Sequence, residues 1–361
     1  MSQKPDYESY PPLFRPSPSS VNPNHGGVEK GSPEMEAAAE GDGVPVIDFE
    51  CMKDGEKVTE ACREWGFFRL ANHGIPESLM SEMLERAREL FSMAYEAKQA
   101  AFNSGAASYI WGTAAVTPSG AALAASNFHW MEGLNILLSK LPQLHYEDPM
   151  LESFRSLVEE YGKHQARVGK AIYEALWRKV ELGTLKLSKY DELSIRYFSE
   201  DTGVLRVHRY PRCLEANRAW GVDVHTDSSL LTILHQDLVG GLQDYKDNQW
   251  IQVKPIPNTL IVNIGDMFQA ISDDKYVSVN HKVKVNEEKE RISVGYFVFP
   301  EDDVVIESSK YKPFTYVQLS LKYKFLRIIE NRNCKIFHMT FEKNSLYSEM
   351  DMSIGIKRVD N

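Results

Sequence analysis

His225-Thr226-Asp227, followed by His281 and ten residues later by Arg291-Ile292-Ser293, is the part of this 361-residue chain best equipped for chemistry. Two imidazoles and one carboxylate can hold one face of an Fe(II) ion and leave the opposite face open for a cosubstrate and O₂. An arginine that follows such a set suits the cosubstrate's remote carboxylate. Its planar fork binds a carboxylate bidentately, and a neighbouring hydroxyl adds one donor. The expected metal ligands are His225, Asp227 and His281, and Arg291 with Ser293 is the expected carboxylate clamp. The competing partner for Arg291 is a local acid such as Glu287 or Glu290.

His-x-Asp alone says little. Ten histidines and 51 acids in 361 residues predict about one His-x-Asp/Glu by chance, and two others occur, His235-Gln236-Asp237 and His145-Tyr146-Glu147. Context separates them. Asp223 to Ser229 is polar and precedes Leu230-Leu231-Thr232-Ile233-Leu234, a strand-like run. That places His225 and Asp227 at a strand mouth, where a metal can reach solvent. His235 ends the same run before the Val239-Gly240-Gly241 turn and reads as a capping or packing residue.

The elements must bring distant residues together. On a strand, residues i and i+2 face one side, so His225 and Asp227 can aim at one metal, and Arg291 and Ser293 share a face. His281 lies in another strand-like stretch, residues 276–283, which must fold back beside the first. Arg291 opens the apolar run Val294 to Phe299, and a guanidinium at the start of a buried strand needs an anionic partner. From 203 to 300, short β-rich runs alternate with Gly, Pro, Asn and Asp turns, which suggests a jelly-roll barrel. Helical spacing predicts helices over 55–64, 77–103 and 149–183. The fold class is mainly β with flanking helices.

At these residues the chain resembles the plant soluble 2-oxoglutarate-dependent dioxygenases, from about residue 44 to about 317. Gly43 to Asp48 looks like the family's first strand, and Trp65-Gly66-Phe67-Phe68-Arg69-Leu70-Ala71-Asn72-His73-Gly74-Ile75 is similar to its N-terminal motif, in which His73 is structural. Leu205-Arg206-Val207-His208-Arg209-Tyr210-Pro211 resembles the strand whose tyrosine contacts the 2-oxoglutarate carboxylate, which carries onto Tyr210. His208 and Arg212 stand where the family commonly has Asn and Pro, and His208 shares a strand face with Tyr210.

The resemblance implies a double-stranded β-helix core. It also implies Fe(II), 2-oxoglutarate and O₂ as cofactor and cosubstrates, ascorbate in support, and hydroxylation coupled to succinate and CO₂ release. Leu231 to Asp237, Gly240-Gly241-Leu242-Gln243, Ser108 to Thr113 and Asn263-Ile264-Gly265-Asp266 look most like gibberellin 2-oxidases. The implied reaction is then 2β-hydroxylation of a gibberellin, which inactivates the hormone. Candidate pocket residues are Tyr109, Trp111, Trp130 and Phe297, with core packing as the plainer role for each. Two rival readings stand beside this one. They are an oxygenase for another hormone, a flavonoid or an alkaloid, and an inactive binding isoform with an altered C-terminus.

Four stretches organise the chain: a Pro-, Ser- and Gly-rich 1–43 expected to be disordered, a helical and β region 44–190, the jelly-roll core 191–317, and an atypical Lys/Asn-rich 318–361. That last stretch reads as a divergent end or a gene-model or splicing alteration. A hydrophobic content of 43% suffices for a large core, and a net charge of −10 argues against a nucleic-acid surface. Cys51, Cys62, Cys213 and Cys334 show neither metal nor disulfide spacing, which suits the reducing cytoplasm. No apolar stretch is long enough to span a membrane.

Overall fold

The computed structural model describes residues 7–15, 42–103, 105–112, 129–180, 195–199, 202–213 and 220–318. The rest of the 1–43 stretch, Thr113, Cys334 and the atypical segment from 319 onward lie outside the described residues. In chain order the elements are β1 (Val46–Asp48), α1 (Glu56–Glu64), β2 (Phe67–Ala71), α2 (Glu77–Ser92), α3 (Tyr95–Ala101), β3 (Ala107–Trp111), β4 (Glu132–Leu137) and α4 (Pro149–Trp177). They continue with β5 (Val204–Tyr210), β6 (Trp220–His225), β7 (Leu231–Gln236), β8 (Leu242–Lys246), β9 (Gln249–Gln252) and β10 (Leu260–Ile264). The last are α5 (Asp266–Ile271), β11 (His281–Lys284), β12 (Arg291–Val298), β13 (Val305–Ile306) and β14 (Phe314–Thr315).

The eight strands β5 to β12 build two sheets that enclose a barrel. The major sheet runs β10-β7-β12-β5 and the minor sheet β6-β11-β8-β9. The chain crosses between sheets at nearly every turn, which is the double-stranded β-helix. β2 and β1 extend the major sheet beyond β10, and β4 and β3 extend it beyond β5. Tyr210, Ile261 and Leu234 of the major sheet meet Leu242, Val283 and Val222 of the minor sheet inside. The outer face of the major sheet is a second apolar layer, covered by α2 and α4.

The helices follow their sequence signals, with one break. Asp148 caps α4 by accepting from Met150 N and Leu151 N at 2.8 and 3.1 Å, with Pro149 at the first helical position. Leu151, Phe154, Leu157, Val158 and Tyr161 then bury one side. The helix expected over 77–103 divides at Met93-Ala94, where both residues are extended. The break re-aims α3 so that Lys98 enters the outer layer, where its Nζ meets Glu132 Oε2 at 2.6 Å, Phe91 O at 2.8 Å and Ser9 O at 3.0 Å.

Residues 7–15 depart from the disorder expected of 1–43. They form a strap over this same spot: Arg209 Nη1 bonds Glu132 Oε1 at 2.9 Å and lies 3.4 Å from Ser9 Oγ. Tyr10 and Phe14 pack against Trp111 and Trp130. Arg15 holds both oxygens of Glu96 at 2.8 Å. Two aromatic rings and one ion pair outweigh a polar average composition.

Candidate active site

His225 ends β6, His281 opens β11, and the two stand opposite one another in the pairing of those strands. Their rings lie 4.2 Å apart between centroids. Asp227 Oδ1 is 3.7 Å from Nε2 of each histidine, so three donor atoms surround one point. The supporting bonds fix which atoms face that point. His225 Nδ1 is 2.8 Å from Asp223 O, and His281 Nδ1 is 3.2 Å from Val279 O. A carbonyl only accepts, so each Nδ1 carries the proton and each Nε2 offers its lone pair. Asp227 Oδ2 accepts from Thr232 Oγ1 at 2.6 Å and Asn263 Nδ2 at 2.8 Å, which leaves Oδ1 for a metal. Thr232 and Asn263 sit opposite each other in β7 and β10 and were not legible as site residues in the sequence.

The charges suit a cation. Burial, then the charge of His281, holds the His225 imidazole down at about 4, so it is neutral and able to ligate near neutral pH. Burial alone would raise the Asp227 carboxyl. His281 and His225, with the bonds from Thr232 and Asn263, overturn that and bring it to about 2. Two imidazoles with one carboxylate are the donor set of a mononuclear Fe(II) site.

Deeper along the same interior face, Arg291 is 2% exposed. Its Nη1 bonds Ser293 Oγ at 3.2 Å, its Nη2 bonds Gln236 Oε1 at 2.9 Å, and its Nε is buried without a partner. Tyr210 stands directly opposite in β5, with its ring 4.8 Å from the guanidinium carbon. The competing acid is committed elsewhere, because Glu290 takes Arg209 Nε at 2.9 Å. Among the described residues no carboxylate pairs with Arg291. A buried guanidinium held by a hydroxyl and an amide can bind a carboxylate. Gln236 was missed in the sequence, because only the β7–β12 register shows that it faces Arg291.

His208 also faces inward. It stands opposite Ser293 and beside Gly133, where an added Cβ would come within 2.7 Å of the imidazole. Burial, then Arg206 and Arg291, pushes its pKa to about 3, so it remains neutral. Phe297 shares the interior face by alternation, and the Arg206 guanidinium lies 4.2 Å from its ring.

Trp130 packs both against the interior cluster and against Phe14, Tyr10 and Trp111, at the edge of the strap. Tyr109 and Trp111 do not join the others. Their register with Leu134 and Glu132 puts them on the outer face, where Tyr109 OH bonds Glu132 Oε2 at 2.5 Å and Trp111 meets the strap.

The second His-x-Asp is structural. His235 turns outward to Tyr161, with its ring 6.2 Å away, and Asp237 accepts from Ile292 N at 2.7 Å and Arg88 Nη2 at 3.0 Å. His73 is structural too, its Nδ1 accepting from Ile75 N at 3.2 Å.

This interior suits one divalent metal and one dicarboxylate side by side, a pairing that defines the non-haem iron oxygenases driven by an oxo-acid cosubstrate. Known proteins agree. Residues 201–300 match the 2OG-Fe(II) oxygenase superfamily, and residues 44–152 match the N-terminal region described for the non-haem dioxygenase in morphine synthesis. Gibberellin 2-beta-dioxygenase 8 of Arabidopsis thaliana is 35% identical over 279 residues, covering 75% of this chain and 78% of that one. Jasmonate-induced oxygenase 2 of Arabidopsis thaliana is 36% identical over 275 residues, covering 73% and 72%. The crystal structure of JOX2 in complex with 2OG, Fe and JA superposes with a TM-score of 0.63 at 32% identity, over 77% of this chain and 84% of that one. The chain belongs to the 2OG-Fe(II) oxygenase superfamily and is a 2-oxoglutarate-dependent dioxygenase.

Proposed function

We propose that this dioxygenase hydroxylates a small apolar carboxylic acid, with a gibberellin attacked at its 2β position as the leading substrate. The likeness to gibberellin 2-beta-dioxygenases from Arabidopsis and rice carries this reading. A second reading, turnover of the compound named JA, is favoured by the likeness to JOX2.

In both readings the roles of the chain are the same. His225, Asp227 and His281 hold Fe(II). Arg291, Ser293 and Tyr210, with Gln236, bind the far carboxylate of 2-oxoglutarate. Phe297 and Trp130 offer apolar walls to the substrate, and the interior of Leu234, Leu242 and Ile261 excludes water. Bound iron and 2-oxoglutarate supply the oxidising power, with O₂ consumed and succinate and CO₂ released. A cytoplasmic location belongs to this proposal, since free thiols suit a reducing compartment. Cys51, Cys62 and Cys213 are free thiols, and no described helix is long and apolar enough to cross a membrane.

The test is product mass spectrometry after incubation with Fe(II), ascorbate, 2-oxoglutarate and a panel of gibberellins and JA. A monohydroxylated gibberellin with matching succinate supports the first reading, and hydroxylated JA alone supports the second. Succinate without a product from any acid sinks both. No succinate at all favours the inactive binding isoform.

A further inference from the structure

Asp244 of β8 is wholly enclosed, at 0% exposure, and no side chain among the described residues bonds its carboxylate, for which the Tyr245 N–H is the only partner. Burying a carboxylate in this way is costly unless something compensates its charge. Strand pairing indicates what does. Asp244 sits directly opposite His281 in the β8–β11 pair, and His281 sits opposite His225 in the β11–β6 pair. Residues directly opposite one another leave a sheet on the same face, here the face that looks into the barrel. The row His225, His281, Asp244 therefore holds two donors of the metal cluster and, next to them, a carboxylate outside it.

We propose that Asp244 is a positioning residue for the metal: an uncoordinated carboxylate whose charge the divalent ion compensates, and which strengthens that ion's binding. The proposal rests on the metal site and is independent of the substrate. It carries a two-sided signature. The metal-free protein buries the charge uncompensated and is the less stable for it, whereas the metal-bound protein gains from it.

The test uses the full chain with Asp244→Asn, which keeps the shape, and Asp244→Val, which keeps only the burial. Urea unfolding in the presence of a chelator reads the metal-free form. Mn(II) titration, followed calorimetrically and by electron paramagnetic resonance, reads the site without turnover. Both variants should unfold at higher urea than the unsubstituted chain when metal-free. Both should bind Mn(II) more weakly by roughly 10–100-fold, the range seen when a partner outside the ligand shell is lost. Unchanged Mn(II) affinity overturns the proposal, whichever way the urea midpoint moves. A loss of metal-free stability in both variants overturns it as well, because the chain itself then compensates the carboxylate. Asp227→Ala is the control. If it binds Mn(II) as well as the unsubstituted chain, the metal site itself is misassigned.

Discussion

Arg291 is a buried cation whose partners within the chain are an amide and a hydroxyl, so an incoming carboxylate can complete it. Removing one partner of a buried charge pair costs about 2–5 kcal/mol. At roughly 1.4 kcal/mol per tenfold, Arg291→Ala should weaken 2-oxoglutarate binding on the order of thirtyfold or more. Arg291→Lys keeps the charge and loses the fork, and should fall between. Mn(II) affinity should change far less, because other residues form the triad. Calorimetric titration of 2-oxoglutarate into Mn(II)-loaded variants decides it, and equal affinity in Arg291→Ala would remove the carboxylate assignment. At this scale the sequence was informative wherever one strand supplied the geometry. His225 with Asp227, and Arg291 with Ser293, needed only the two-residue alternation of a strand. Gln236, Thr232, Asn263 and Asp244 needed the register between strands, which no local pattern encodes.

Strands β7 and β12 are tied at the Arg291 end by Asp237. Its carboxylate accepts from Ile292 N, Arg88 and Val239 N, while its own N–H donates to Ile292 O at 3.1 Å. Hydrogen bonds to a charged group are worth about 1.5–3 kcal/mol, so Asp237→Ala should destabilise the protein by roughly that much. Urea unfolding measures the loss. Mn(II) uptake by the folded fraction should be unchanged, and its abolition would make His235-Gln236-Asp237 the metal motif after all. Elements also explain where the sequence misled. Aromatic type says nothing about which face of a strand a ring takes. Tyr109 and Trp111 therefore read as pocket residues, although β3 turns them towards Glu132 and the strap. The helical pattern of 77–103 runs through Met93-Ala94 because spacing alone does not register a turn made to bring Lys98 to Glu132.

Three imidazoles give the whole molecule a pH dependence. Burial leads in lowering His208 to about 3 and both His225 and His235 to about 4, against about 6.5 for a free histidine. Between those values the unfolded chain binds more protons than the folded one. Stability is therefore fully present above about pH 6.5 and is lost as pH falls towards 4. His235, at 6% exposure, carries its share in full, roughly 3 kcal/mol at 1.36 kcal/mol per unit. His225 is more exposed and contributes less. Burial raises the Asp244 carboxyl to about 6, so its protonation works against the imidazoles. Urea midpoints of the metal-free Asp244→Asn chain should therefore fall steadily through this window, and a midpoint flat down to about pH 5 in that variant would contradict the buried neutral state.

The strap has a consequence in time. Ser9 and Arg209, which it brings together, are 200 residues apart in sequence. Its seat is made of Trp111, Glu132 and Arg209, and Arg209 stands in register between β4 and β12. Residues 7–15 have nowhere to dock until β4 and β5 have paired and brought Glu132 and Arg209 together. Contacts that close so long a loop arrive late in folding, so residues 7–15 settle after the strands that seat them. In native-state hydrogen exchange the amides of residues 7–15 should open before those of β7 and β12.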